Sequence, residues 1–300
     1  MPPAAQQPET QTPAAAPATA WDDDLLANPH AVADKRRRVR DMFAAIAPSY
    51  DINNRLHSLW QDQRWRRRAV KLAQLRNSDN VVDVACGTGD LTLRFADQLW
   101  HGKRPRPAQV VGIDFTYEML PIALAKSRAA QPRRIRFRIT GDDSWSKLAS
   151  FTRFINGDAQ SPPLPNESAD VVSIAFGIRN VQDPAAAMRE FFRILRPGGR
   201  VIILEFSLPT NRVLRGLYNF YFRQVLPRTA TLISGDKTGA YKYLPDSVNT
   251  FIGREQMMQM LRDAGFGNVE QFPMTFGVCV CYRGVKAGGA AGSDGAHSAG

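Results

Sequence analysis

Val81-Val82-Asp83-Val84-Ala85-Cys86-Gly87-Thr88-Gly89-Asp90-Leu91 decides the fold. A β-branched run ends in two closely spaced glycines, and a helical pattern begins at once. Glycine permits backbone dihedrals and close approaches that a Cβ would block. A strand that turns this sharply into a helix brings bare backbone up to a ligand, as nucleotide-type pockets do at the carboxyl end of a parallel strand.

The same alternation continues on the carboxyl side. Strand one, Val81 to Cys86, leads to a helix from about Asp90 to Trp100; strand two, Gln109 to Asp114, leads to a helix from Tyr117 to Ala130. Residues 131–150 read as a loop insertion around a candidate strand at Ile135 to Ile139. Phe151–Asn156 reads as strand three, before Gly157-Asp158-Ala159, and Ala169–Phe176 as strand four. Asp183-Pro184 opens a helix with a capping carboxylate and a proline at its first position, and Arg196-Pro197-Gly198-Gly199 closes it. Strand five is Arg200–Phe206; an aromatic segment from Tyr218 to Leu226, an irregular stretch through Tyr243-Leu244-Pro245, a helix Arg254–Ala264 and strands near Val269–Phe272 and Thr275–Tyr282 follow. Buried, continuous apolar strands between helices predict a doubly wound, largely parallel α/β sheet, Rossmann-like in class.

On the amino side, Val39, Met42, Phe43, Ile46 and Ala47 recur at helical spacing up to Pro48, and a second helix spans Leu59 to Leu75. These predict a helical cap over residues 35–78. Residues 1–34 are read as a disordered Pro/Ala-rich tail, although order could begin anywhere from Trp21 to Lys35, and 287–300 as a flexible Gly/Ala/Ser tail. The main domain is 35–286.

Composition narrows the function classes. Of 300 residues 44% are hydrophobic, and no run approaches the roughly 18 unbroken apolar residues of a spanning helix. Cys86, Cys279 and Cys281 have no framework spacing and, with four scattered histidines, no metal-ligand pattern; a reducing, cytoplasmic setting follows, with no metal expected. The net charge of +11 suits an acidic partner or an anionic membrane surface. Nucleic acid is disfavoured, because the basic residues form no recognisable binding module.

The glycine turn lacks the third glycine of a dinucleotide fingerprint, Thr92 standing there, and the Gly-Lys-Ser/Thr of a phosphate loop, Asp90 standing there. Carboxylates at Asp83 and Asp90 repel phosphate at a helix N-terminus that otherwise attracts it. Asp114, about 25 residues on, can accept hydrogen bonds from both ribose hydroxyls. Asp158 is placed to bond an adenine amino group, with the Ala159 amide beside it. A cationic nucleoside fits this pattern, and S-adenosyl-L-methionine is the ligand it points to. Alone, Gly-x-Gly is only a tight turn; its order with Asp114, Asp158-Ala159 and the Pro-Gly-Gly before strand five gives it meaning.

Val82 to Asp90 resembles motif I of class I methyltransferases. Four further segments resemble the ubiquinone/menaquinone biosynthesis C-methyltransferase family (UbiE/MenG): Met42 to Asp51, Phe176-Gly177-Ile178-Arg179-Asn180-Val181-Gln182-Asp183, Leu204-Glu205-Phe206-Ser207, and Tyr241 to Ser247. The resemblance runs from about residue 35 to 286. It implies a seven-stranded class I methyltransferase sheet with the last strand antiparallel. It also implies cofactor contacts at Thr88, Asp114, Asp158 and Ala159; the glycine turn itself adds Asp83, Gly87 and Gly89 as candidates. A serine usual near the end of strand four is Ala175 here, so a side-chain contact there is expected to be missing or replaced, by Ser173 or by water.

That family methylates a ring carbon of a reduced polyprenyl quinone, next to a ring hydroxyl that must lose its proton. Arg179 is the leading candidate to stabilise the resulting oxyanion, directly or through water. Asn180 could orient that water, and Tyr50 or Tyr243 could hydrogen-bond the other oxygen; the plainer alternative for Arg179 is a salt bridge to Asp183 or another acid. The expected acceptor is demethylmenaquinol or a polyprenyl benzoquinol of ubiquinone synthesis. The alternatives are another small lipid-like acceptor or a non-catalytic basic binding protein. The basic helices and the aromatic stretch could meet the inner face of the membrane, and a homodimer stays open.

Overall fold

The structure is a computed structural model that describes residues 20–99, 110–130, 148–236 and 238–288. Most of the expected 131–150 insertion, and most of both tails, lie outside the described residues.

Seven strands form one sheet among the described residues: β1 Val81–Val84, β2 Val110–Asp114, β3 Thr152–Asn156, β4 Ala169–Ala175, β5 Leu195–Phe206, β6 Phe266–Met274 and β7 Cys279–Lys286. Their spatial order is β3-β2-β1-β4-β5-β7-β6. β1 pairs in parallel with β2 on one side and β4 on the other, Val81 opposite both Val110 and Val171. β7 runs antiparallel to both β5 and β6. The chain therefore reverses its direction of winding at β1, which opens a crevice at the carboxyl ends of β1 and β4.

Alternation along the strands sends apolar side chains to two layers. Val82 and Val84 join Val172, Ile174 and Ile203 under α7 (Pro184–Ile194) and α11 (Arg254–Asp263). Val81 joins Ile202, Leu204, Cys279 and Cys281 under α4 (Gln61–Leu72) and α5 (Asp90–Leu99). The two cysteines share one face of β7, as their alternation predicts. α7 starts as read, with Pro184 in its first turn and the Asp183 carboxylate accepting from the Ala186 amide at 3.0 Å.

A third layer covers the crevice. α1 (Asp23–Ala27), α2 (Lys35–Ile46), α3 (Tyr50–His57), α8 (Arg212–Phe220), α9 (Leu226–Ser234) and α10 (Ala240–Asn249) surround a separate core that includes Trp21, Met42, Phe222 and Tyr243. α6 (Met119–Ala129) packs beside β3.

Four expectations need correction here. Ordered structure begins well before residue 35: Trp21 is buried, its ring 4.5 Å from that of Tyr243, so one aromatic contact anchors a segment whose composition alone reads as tail. The first cap helix ends at Ile46, just ahead of Pro48 as its pattern predicts, but the second does not start at Leu59: a 3₁₀ turn, Ala47–Ser49, passes directly into the additional helix α3, and α4 starts only at Gln61 after Leu59 and Trp60 adopt left-handed backbone. The stretch through Tyr243-Leu244-Pro245 is helical despite its internal proline, because Tyr241, Tyr243, Ser247 and Val248 are all buried and tertiary packing outweighs the lost backbone bond. Thr275–Gly277 is a 3₁₀ turn, so the last strand starts at Cys279.

Candidate active site

The glycine turn sits at the crevice. Gly87 (φ +55°) and Gly89 (φ +81°) adopt left-handed backbone; a Cβ on Gly89 would lie 3.1 Å from the Ala123 Cβ, so this glycine lets α5 and α6 close up. Ala85 and Phe176, at the ends of β1 and β4, are also left-handed (φ +50° and +58°), an arrangement that costs about 1–3 kcal/mol per residue and is found where function holds it. A Cβ on Gly177 would come within 2.6 Å of the Ala85 Cβ, so the two turns interlock.

Three adjoining cavities open there. The first is an open cleft spanning about 770 Å³, bordered by Gly87, Asp114, Asp158, Ala159, Ala175 and Asn180, with Arg36 and Phe43 of α2 on its outer side. Asp114 ends β2 nearly buried; its Oδ2 accepts from the Gly87 amide and its Oδ1 from the Thr116 amide, both at 2.7 Å. Burial lifts this carboxyl to about 6, while the two amides favour the charged form. Asp158 accepts from the Gln160 amide at 3.0 Å and pairs with Arg36 at 2.8 Å. The Arg36 guanidinium also lies 4.6 Å from the centre of the Phe115 ring.

The second cavity, about 320 Å³, continues past the turn and is lined by Asp83, Gly87, Thr88, Asp90, Ala175 and Arg66 among others. Both Asp83 oxygens are engaged, one by the Thr92 hydroxyl at 2.6 Å and one by the Ser173 hydroxyl at 2.7 Å. Ser173 is therefore committed to Asp83 and does not substitute for the serine absent at Ala175. Thr88 donates to Asp51 at 2.6 Å. Asp90 binds Lys126 and, at 3.2 Å, Arg55. The charge at the helix mouth is thus balanced within the protein, which revises the simple repulsion expected from its sequence.

The third cavity, about 630 Å³, lies under the cap between Met42, Tyr50, Phe176, Arg179, Phe206 and Tyr243. Arg179 is deeply buried. Its Nη1 donates to Glu205 Oε1 at 2.6 Å and to the Phe176 carbonyl at 2.7 Å; its Nε donates to Ser247 Oγ at 3.3 Å. Its plainer partner is therefore Glu205 on β5, also buried, while Asp183 caps α7. Tyr243 donates to Asn180 Oδ1 at 2.9 Å, and the Asn180 amide donates to the Phe176 carbonyl at 3.2 Å. Burial pushes the Tyr50 and Tyr243 phenols above their ordinary range, so both stay protonated at neutral pH. Tyr50 borders all three cavities, and Phe176 borders the first and third.

Lys35 fastens the cap to this loop: its buried ammonium donates to the Val181 carbonyl at 2.7 Å and meets His30 Nδ1 at 3.3 Å. Burial pushes Lys35 down to about 8 and His30 to about 4. The neutral His30 ring can accept from Lys35 at Nδ1 and donate from Nε2 to the Ser247 carbonyl, 2.8 Å away.

The sequence model of the ubiE/COQ5 methyltransferase family matches residues 31–286. The chain belongs to that family. A ubiquinone/menaquinone biosynthesis C-methyltransferase UbiE from Geobacter sulfurreducens is 40% identical over 253 residues, covering 84% of this chain and 90% of the relative. A demethylmenaquinone methyltransferase from Deinococcus radiodurans is 38% identical over 253 residues, covering 84% and 94%. Among solved structures, a SAM-dependent methyltransferase from Thermotoga maritima superposes with a TM-score of 0.51 at 20% identity, over 83% of this chain and 99% of that one; this likeness concerns the fold. The protein is an S-adenosylmethionine-dependent C-methyltransferase with the sheet that the sequence predicts.

The residues present suit that donor. Asp114 keeps lone pairs toward the first cavity after taking two amides, as a ribose diol requires, and the turn after β1 is free of bulky side chains. Of the sequence-derived candidates, the structure brings Gly87, Asp114, Asp158, Ala159, Ala175, Asn180 and Tyr50 to the first cavity. Asp83 and Thr88 line the second, and Arg179 and Tyr243 the third. Gly89 lines none of the three. Arg36, Asp51, Arg66, Lys126 and Glu205 were not singled out as site residues, although all five belong to the site's polar network. Glu205 had a signal, the charge inside an otherwise apolar strand five; the others look like any exposed helix charge.

Proposed function

We propose that the protein methylates a ring carbon of a reduced polyprenyl quinone bound in the Arg179–Tyr243 cavity. The observation that carries this is the shared wall: Phe43, Tyr50 and Phe176 separate an aromatic-lined cavity with a polar end from the donor cleft. A planar ring with two oxygens fits such a space, and the names of the relatives point to a demethylmenaquinol or a benzoquinol.

In this reading Asp114 takes the ribose hydroxyls, Asp158 and the Ala159 amide the adenine edge, and Gly87, Thr88 and Asp83 shape the far end of the site. Gly89 lets the helix approach, and Ala175 leaves room beside the turn. The bound donor supplies a methyl group on a positively charged sulfur. Arg179 stabilises the oxyanion left when the ring hydroxyl next to the accepting carbon gives its proton to solvent, its charge moderated and its plane fixed by Glu205. The methyl gained by that carbon is balanced by loss of the carbon's own hydrogen as a proton, which restores the aromatic ring. Tyr243, having donated to Asn180, keeps its lone pairs to accept from a ring hydroxyl. Tyr50, protonated, can donate to the other ring oxygen, and Asn180 orients the pair. The cap covers this junction.

The test is methyl transfer from labelled donor to demethylated naphthoquinols and benzoquinols, with sterols and phospholipid headgroups as competing acceptors. Label on a quinol ring carbon is expected; label only on a competing acceptor overturns the reading.

We also propose that the substrate is reached from an anionic bilayer at the cap. No helix among the described residues is long and apolar enough to cross a membrane. Leu59, Trp60, Val213, Leu217 and Phe220 are exposed large apolar residues, beside Arg212 and Arg215. The Tyr221 hydroxyl donates to the His57 carbonyl at 3.2 Å, which joins the two apolar clusters. Salt-sensitive cosedimentation with anionic vesicles, lost in Leu217→Asp/Phe220→Asp, is expected. Salt-independent binding, or a dimer that the same variant dissolves, would assign the face to another use.

A further inference from the structure

The geometry points to Arg66 as the residue that grips the carboxylate of the methyl donor's amino-acid end. The inference deepens the placement of the donor: with its nucleoside between Asp114 and Asp158, its other end must extend into the 320 Å³ cavity. That cavity joins the first through Tyr50, Ala85, Gly87 and Ala175. An amino-acid end carries an ammonium and a carboxylate. Asp83, Asp90 and the backbone of the turn offer acceptors for the ammonium; Arg66 is the one cation that lines this cavity among the described residues.

Arg66 is 6% exposed. Its Nη1 donates to Asp62 Oδ2 at 2.6 Å, and its guanidinium carbon lies 5.3 Å from the centre of the Phe176 ring. Among the described residues nothing accepts from its Nε or Nη2. A buried guanidinium has five N–H donors to satisfy, and leaving them dry is costly. A carboxylate meets two of them at once in a fork geometry that lysine cannot reproduce.

Asp62 is itself held by the Ser58 hydroxyl at 3.0 Å and the Gln63 amide at 2.8 Å, so the guanidinium is oriented before ligand arrives. The other nearby cations are engaged elsewhere: Lys126 with Asp51 and Asp90, and Arg55 with Asp90. Although burial opposes charge on Asp90, the field of Arg66 and its neighbours holds that carboxyl down at about 2, so Arg66 acts on this cavity. Asp62 cancels the charge of Arg66, and the donor's sulfonium and ammonium outweigh the carboxylate being bound. The site therefore closes without an excess of negative charge.

Calorimetry with two ligands tests this. S-adenosylhomocysteine has the amino-acid end; 5′-methylthioadenosine has the nucleoside and sulfur without it. Arg66→Gln is expected to weaken S-adenosylhomocysteine roughly ten- to hundred-fold while methylthioadenosine stays within about two-fold, with Arg66→Lys in between. Arg66→Gln/Asp62→Asn removes the stranded buried carboxylate and keeps the test valid if the single variant folds poorly. Equal losses for both ligands in that double variant, or no loss for either alongside a fall in turnover, would overturn the inference. Wild-type protein that binds neither ligand would instead sink the donor placement itself.

Discussion

The proposed donor cleft and the proposed acceptor cavity are built in opposite ways, although they share Tyr50, Phe43 and Phe176. The inner wall of the donor cleft is made of residues at or just after strand ends: Gly87 after β1, Asp114 at the end of β2, Asp158 after β3, Ala175 at the end of β4. Parallel strands carry those ends to one edge whatever the rest of the sequence does. The acceptor cavity has no such device. Met42 to Arg66, Phe176 to Arg179, Phe206 and Ala240 to Leu244 meet there only because the cap packs onto the sheet. One site is a property of the topology, and the other of side-chain packing.

The sharpest way to break the comparison is to remove Arg179. Arg179→Ala is expected to lower turnover roughly 10²–10³-fold, the range seen for loss of an oxyanion donor, with donor affinity unchanged in calorimetry. It should also cost about 3–5 kcal/mol of stability, because Glu205 is left buried without its partner. Arg179→Ala/Glu205→Gln separates the two effects: stability should return and turnover should not. Turnover that returned with stability would make the arginine a scaffold only.

Asp114 tests the other half. Asp114→Asn is expected to weaken donor binding roughly ten- to hundred-fold, since an amide cannot accept on both sides, and to leave quinol affinity as it was. The wild-type carboxyl, lifted to about 6 by burial, adds a pH signature: donor affinity should hold above that value and fall as the group protonates below it, by up to about ten-fold per pH unit. A flat profile from pH 7 to 5 would remove Asp114 from the ribose contacts.

The same contrast explains what the sequence made legible. The central strands are readable from β-branched runs and their punctuation, because β1, β4 and most of β5 are buried on both faces, whereas the edge strands β3 and β6 are half-exposed and carry a weaker pattern. The acidic residues proposed to hold the donor lie at fixed offsets from those strands, and the structure brings Asp114 and Asp158 to one cavity. The cap was not readable: Trp21 sits in a segment with tail-like composition, and Tyr243 in one with a helix-breaking proline, yet their rings pack 4.5 Å apart. Arg66 looks, in Arg64-Trp65-Arg66-Arg67-Arg68, like one of several solvated arginines; only the fold turns it inward. Charge balance was equally hidden, since Glu205 meets Arg179 across 26 residues and Lys126 meets Asp90 across 36.

Asp83 gives the smallest effect and the finest distinction, because it belongs to the donor side yet acts on stability. Burial lifts its carboxyl from 3.8 to about 6. A group whose pKa is higher in the folded state stabilises the fold fully below its unfolded value, and the gain disappears as pH rises through the folded value. Asp83 should therefore help the fold below about pH 4 and contribute nothing above about pH 6, where its buried charge must be carried. Asparagine keeps the shape, accepts from one of the Thr92 and Ser173 hydroxyls and donates to the other after that hydroxyl rotates, with no charge to bury. Asp83→Asn is expected to raise the unliganded Tm by a few degrees at pH 7.5, on the order of 1–2 kcal/mol, and by much less at pH 5. A Tm lowered at pH 7.5 would mean that the two hydroxyls stabilise the charged form fully. Asp83 would then be a structural anchor of the turn and carry no stored strain.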